Sequence, residues 1–179
     1  PERKPDVERC AELGAATIRA FGGKAEIHRV PGGNPIVLGS FESGKGRPTV
    51  TVYNHLDVQP ASMETEPWRT EPFTFTKQGD TYFGRGATDD KGPALTALFG
   101  ARAALDAGVP VNLKFLWETE EEVGSPHFAE TLRAIGPAAA TDAVVVSDTV
   151  WVSRGRPSLS AGLRGLQRIT FHLETALTD

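Results

Sequence analysis

The chain has 179 residues, which at about 150 residues per domain is one domain or slightly more and enough to bury a core. Hydrophobic residues make up 39% and charged residues 23%, and no apolar run approaches the roughly 18 residues that a membrane-spanning helix needs, which disfavours the membrane and disordered classes. The net charge of −4, with no long basic run, argues against a dedicated nucleic-acid binder.

In chain order, Val7, Cys10, Leu13, Ala16, Ile18 and Phe21 fall at near-helical spacing and predict an amphipathic helix over about residues 6–21, stopped by Gly22-Gly23. Cys10, the single cysteine, is expected as a half-buried residue of that helix, and it excludes any site needing two thiolates. Short β-prone runs over 25–30, 35–41 and 49–53 are separated by Pro31-Gly32-Gly33 and Ser43-Gly44-Lys45-Gly46. Residues 73–76 and 81–83 alternate around Gln78-Gly79-Asp80, a hairpin signal. An Ala- and Leu-rich helix is expected over 92–107, then a strand over 111–117, a helix over about 126–135 and a strand over 143–146. Helices alternating with apolar strands predict an α/β fold with a mixed, largely parallel sheet flanked by helices.

Four polar clusters follow predicted strands, where open α/β sheets place their ligand sites. In Tyr53-Asn54-His55-Leu56-Asp57, residues i and i+2 of an extended chain share a face, so Asp57 can orient the ring of His55 as a metal-binding histidine requires. In Gly84 to Gly92, Asp90 reads as a helix cap with a dipole contribution, which leaves Asp89 without an ordinary explanation. In Glu118-Thr119-Glu120-Glu121-Glu122, a run of glutamates is ordinarily a solvated face, yet at a sheet edge such charges repel unless a cation lies among them. Asp148 ends the last strand, a position usually taken by a turn residue. One histidine and carboxylates from several strand ends compose a hard or borderline dinuclear metal site. Two dications against Asp89, Glu122, Asp148 and a bridging hydroxide would be near neutral and therefore cheap to bury.

The strings YNHLDVQP (53–60), EPF (71–73), YFGRGATDDKGP (82–93), EEVGS (121–125), SDTVW (147–151) and GLRG (162–165) resemble, in order, the dinuclear zinc metallopeptidases that include carboxypeptidase G, succinyl-diaminopimelate desuccinylase and aminoacylase. Within that family they look most like the carnosinase and cytosolic nonspecific dipeptidase branch. The resemblance implies metal ligands His55, Asp89 (bridging), Glu122 and Asp148, a general base at Glu121, and Asp57 orienting His55. It also implies a cis peptide between Asp89 and Asp90. Glu118 and Glu120 match no ligand position and keep the solvated-face reading; His28, His127 and His172 match nothing. The cofactors implied are two divalent ions, zinc first, with manganese or cobalt as alternatives. The reaction implied is hydrolysis of an amide bond in dipeptides or short peptides.

The family's second metal-binding histidine and its inserted lid have no counterpart here, so the resemblance implies an N-terminal fragment, itself inactive. In that reading residues 1–164 are part of the catalytic domain and 165–179 open the first strand of the lid, through which the whole protein would form a homodimer. A small peptide or N-acyl amino acid substrate, no nucleic acid, no membrane and a cytoplasmic location complete the expectation. The rival within the family is an N-acyl-amino-acid deacylase or carboxypeptidase; the rival outside it is a non-catalytic binding module, which would be expected to lose Glu121 or Asp89 first.

Overall fold

The computed structural model describes residues 3–149, 153, 155–162, 165, 167–173 and 175. Val150 and Trp151 of the fifth string, Leu163 and Arg164 of the sixth, and Glu174 at the expected lid strand lie outside the described residues. The chain divides into two compact units, Pro1–Asp148 and Thr149–Asp179.

The first unit is built on a five-stranded sheet in the order β1-β2-β6-β3-β7, from β1 (Lys24–His28), β2 (Ile36–Phe41), β3 (Thr49–His55), β6 (Asn112–Glu118) and β7 (Ala143–Val146). β3 pairs in parallel with both β6 and β7, whereas β1–β2 and β2–β6 are antiparallel. The sheet is therefore evenly mixed. The three mutually parallel strands end at one edge, and the chain leaves β3 at His55 and β6 at Glu118 side by side, in register. β4 (Thr76–Gln78) and β5 (Thr81–Phe83) form a separate antiparallel ribbon; its first strand begins later than the alternation of 73–76 suggests, because Thr76 is the residue that finds a partner in Phe83.

Helices α1 (Lys4–Ala20) and α2 (Lys91–Asp106) contribute Ala11, Ala15, Ile18, Ala94 and Leu98 to a core with Val37, Phe115 and Trp117. A smaller cluster gathers Ile36, Leu38 and Leu116 with Ile135 of α3 (Phe128–Ile135). The buried stripe of α1 is Ala11, Ala15 and Ile18, while Leu13, expected inside, is 62% exposed. Bulk on the sheet decides this: a Cβ on Gly14 would lie 3.0 Å from Leu56 and 3.2 Å from Trp117, so the helix must turn its small residues inward. Gly39 of β2 completes the fit, since a Cβ there would come within 2.7 Å of Ile18. Cys10 is a half-buried free thiol of α1, as expected. The edge strand β7 differs from the helix-covered strand anticipated, for all four of its residues are exposed. In the second unit, residues 153 and 156 form an isolated antiparallel bridge, and residues 167–173 run without regular secondary structure. Among the described residues, no helix is long and apolar enough to cross a membrane.

Candidate metal centre

His55, the last residue of β3, is fully buried. Its ring Nε2 lies 2.8 Å from an Asp89 carboxylate oxygen and 3.7 Å from one of Asp148. One ligand atom from each of the three residues falls within 4.8 Å of the others. The sheet edge explains the convergence: His55 ends β3, Asp148 lies two residues beyond the parallel neighbour β7, and Asp89 stands before α2 across a cis peptide to Asp90. On the other side of the ring, Nδ1 is 3.3 Å from the Asp57 carboxylate and 3.2 Å from the Asp57 carbonyl.

Asp57 also reaches the segment that follows β6. Its carboxylate accepts the backbone N–H of Glu121 at 3.2 Å and of Glu122 at 3.0 Å, tying β3 to the short 3-10 turn Glu121–Val123 that follows β6. A Glu121 carboxylate oxygen lies 3.9 Å from His55 Nε2. Glu122 is not one of the three converging residues; Gln59 donates its amide N–H to the Glu122 carbonyl at 2.7 Å and to the carboxylate at 3.0 Å.

Carboxylates surround the His55 ring. Burial opposes a charge on His55, but hydrogen bonds with Asp57 and Asp89 and the charges of Asp57 and Asp148 outweigh it, raising the imidazole to about 10. Burial likewise works against the Asp57 carboxylate, yet the hydrogen bonds from His55 and Glu122 hold it below its usual range. Glu121 moves the other way: burial raises it, His55 opposes, and the charges of Asp148, Glu122 and Asp57 add to the rise. Asp148 is raised by burial, against His55 and with Asp89 and Glu122. Glu121 is therefore a carboxylate of raised proton affinity beside the three converging residues. The donor set, one imidazole fixed by a carboxylate behind it and two carboxylates in front, fits a divalent metal.

Three residues read as ordinary surface or cap positions have different roles. Asp90 occupies the N-cap position of α2 but makes no capping hydrogen bond; its fully buried carboxylate accepts the Asn54 amide at 2.8 Å and the His55 N–H at 3.1 Å, clamping the end of β3. Burial, against those two hydrogen bonds, pushes Asp90 up to about 6. Glu118 and Glu120 are not a solvated face, being only 2% and 8% exposed. Glu118 accepts the hydroxyl of Tyr53, and burial raises it against that bond. Glu120 accepts the N–H of Asn34 and pairs with His127, a histidine that matched nothing in the sequence. No local pattern announces the partners Tyr53, Asn34 and Asn54, which lie 65, 86 and 36 residues from the carboxylates they meet.

The model of a family described as Peptidase family M20/M25/M40 matches residues 51–166. The chain belongs to this family. Among its relatives, Cys-Gly metallodipeptidase dug1 of Schizosaccharomyces pombe is 38% identical over 98% of the chain, which spans 40% of that protein. Human carnosine dipeptidase 1 superposes with a TM-score of 0.70 at 32% identity, over 86% of this chain and 35% of the other. An M20 family metallo-carboxypeptidase, Sso-CP2 from Sulfolobus solfataricus, gives a TM-score of 0.74 at 28% identity over 84% of this chain and 34% of the other. The M20 chain thus spans well under half the length of the relatives it matches, and the resemblance to the carnosinase branch is met by relatives of that kind. Within the M20 chain, His55, Asp89 and Asp148 form a candidate site for a divalent metal.

Proposed function

We propose that this M20 chain carries the amide-hydrolysing centre of a metal-dependent peptidase acting on dipeptides or short peptides. The observation that carries the reading is the meeting of His55, Asp89 and Asp148 at one sheet edge with Glu121 beside them. The substrates named for the relatives, Cys-Gly and Beta-Ala-His, support this substrate class.

His55, Asp89 and Asp148 would hold one divalent ion, zinc first, and Asp89 with Glu122 would face a second. Such ions, when bound, supply a polarised carbonyl and a more acidic water. The remaining steps belong to side chains of this chain. Glu121 takes a proton from the attacking water and returns it to the leaving amine, a role suited to a carboxylate raised by burial and by neighbouring negative charge. Asp57 holds the His55 ring and the backbone of Glu121 and Glu122 in one geometry. Residues 1–164 are assigned to the catalytic part and 165–179 to the opening of a lid that pairs two copies.

The test is made on the product of the complete reading frame that encodes this chain, supplied with zinc. Hydrolysis of Cys-Gly or β-Ala-His is expected, with a loss of about 10²–10⁴-fold in Glu121→Ala. Faster turnover of N-acetyl amino acids than of dipeptides would favour a deacylase, and undiminished turnover in Glu121→Ala would refute the assigned base.

A further inference from the structure

We infer that Glu120 is a positioning residue that fixes the turn carrying Glu121 and Glu122, a role that rests on reading that turn as the source of the general base. Glu120 lies buried two residues beyond the end of β6, and both its carboxylate oxygens and its main-chain carbonyl accept hydrogen bonds. The side chain accepts the backbone N–H of Asn34 at 2.9 Å and that of His127 at 3.3 Å, and the His127 ring Nδ1 lies 3.1 and 3.0 Å from its two oxygens. The main-chain carbonyl of Glu120 accepts the N–H of Val123 at 3.2 Å and of Ser125 at 2.8 Å. One residue thus joins the chain entering β2, the start of α3 and both ends of the Glu121 turn.

Its neighbours reinforce the brace. Asn34 donates its side-chain amide to the Thr119 carbonyl at 3.1 Å, and the Thr119 hydroxyl donates to Pro35 at 2.8 Å. Gly33 packs closely here, since a Cβ would lie 3.0 Å from both His127 and Val30.

The turn needs such a brace. Gly124 has φ of +88° and Ser125 φ of +51°, and a non-glycine residue in the left-handed region persists only where its surroundings hold it. Asp57 holds the other flank through the N–H groups of Glu121 and Glu122. The Glu121 side chain is 39% accessible, and the turn places its carboxylate 3.9 Å from His55 Nε2. A shift of the turn would therefore move the base relative to His55, and misplacement on the order of an ångström costs about 10²-fold in rate.

The test substitutes Glu120→Gln, which preserves size but cannot accept from all of its donors, in the product of the complete reading frame. Expected is a fall in kcat on Cys-Gly of at least about tenfold with KM within about twofold. Amide hydrogen exchange at residues 121–125 should quicken at least about tenfold, while β3 and α2 stay within about twofold. Unchanged kcat, or exchange that quickens evenly through the molecule, would overturn the inference. Should Glu120→Gln fail to fold, His127→Ala leaves Glu120 paired with Asn34 and is expected to show the same split at about three- to tenfold; no change in kcat or in local exchange there would be equally decisive against it. If the unsubstituted protein hydrolyses no peptide, the proposed function falls, and the exchange contrast, which needs no turnover, decides the role of Glu120 by itself.

Discussion

A fully buried imidazole raised to about 10 is a histidine whose neighbours, despite its burial, hold a positive charge on it. Asp57 contributes in two ways, through the ring Nδ1 of His55 and through the N–H groups of Glu121 and Glu122. Asp57→Asn keeps the shape but loses the charge and one acceptor. Zinc affinity of the complete protein, measured by calorimetric titration, is expected to fall about 10–100-fold, the usual cost of removing a partner behind a metal-binding histidine. An unchanged affinity would show that Asp57 does not orient the ring. The spacing of His55 and Asp57 was legible because extended chain puts i and i+2 on one face. Burial of Glu118 and Glu120 was not, because their partners Tyr53 and Asn34 lie 65 and 86 residues away.

Between elements, the Glu8–Arg29 pair links α1 to the chain leaving β1 through a hydrogen bond of 2.6 Å. The hydrogen bond from Arg29, outweighing partial burial, holds Glu8 below its usual 4.5. A carboxylate whose folded value is depressed contributes stability above its unfolded value and loses it as pH falls through the folded one. With both side chains substantially exposed, 45% for Arg29 and 30% for Glu8, the contribution is about 0.2–1 kcal/mol. Urea denaturation of Glu8→Gln should show that deficit at pH 7 and a difference from the unsubstituted chain that shrinks as pH falls below 4.5; a deficit that does not shrink would point to packing. Most elements were legible because apolar spacing follows the period of the element that buries it. The inward face of α1 was not, since Trp117 of β6 and Leu56 just beyond β3 decide which of its residues fit.

At the scale of the molecule, a ligand that binds only the folded state stabilises by mass action. Zinc at about 100 times its dissociation constant should add about 2.7 kcal/mol, raising the Tm by roughly 5–10 °C, with reversal by chelator. Scanning calorimetry reads this directly, and a Tm indifferent to zinc would count against the His55–Asp89–Asp148 site. Composition, apolar periodicity and the ordered strings between residues 53 and 165 determined by themselves the α/β class, the element order and the family, because these are properties of local spacing and of the motifs the chain carries. Only the tertiary structure decided that the sheet is evenly mixed, that Asp90 clamps β3 without capping α2, and that Glu118 and Glu120 are buried. Each of those depends on which strand ends lie side by side, and a carboxylate is worth burying only where distant donors converge on it.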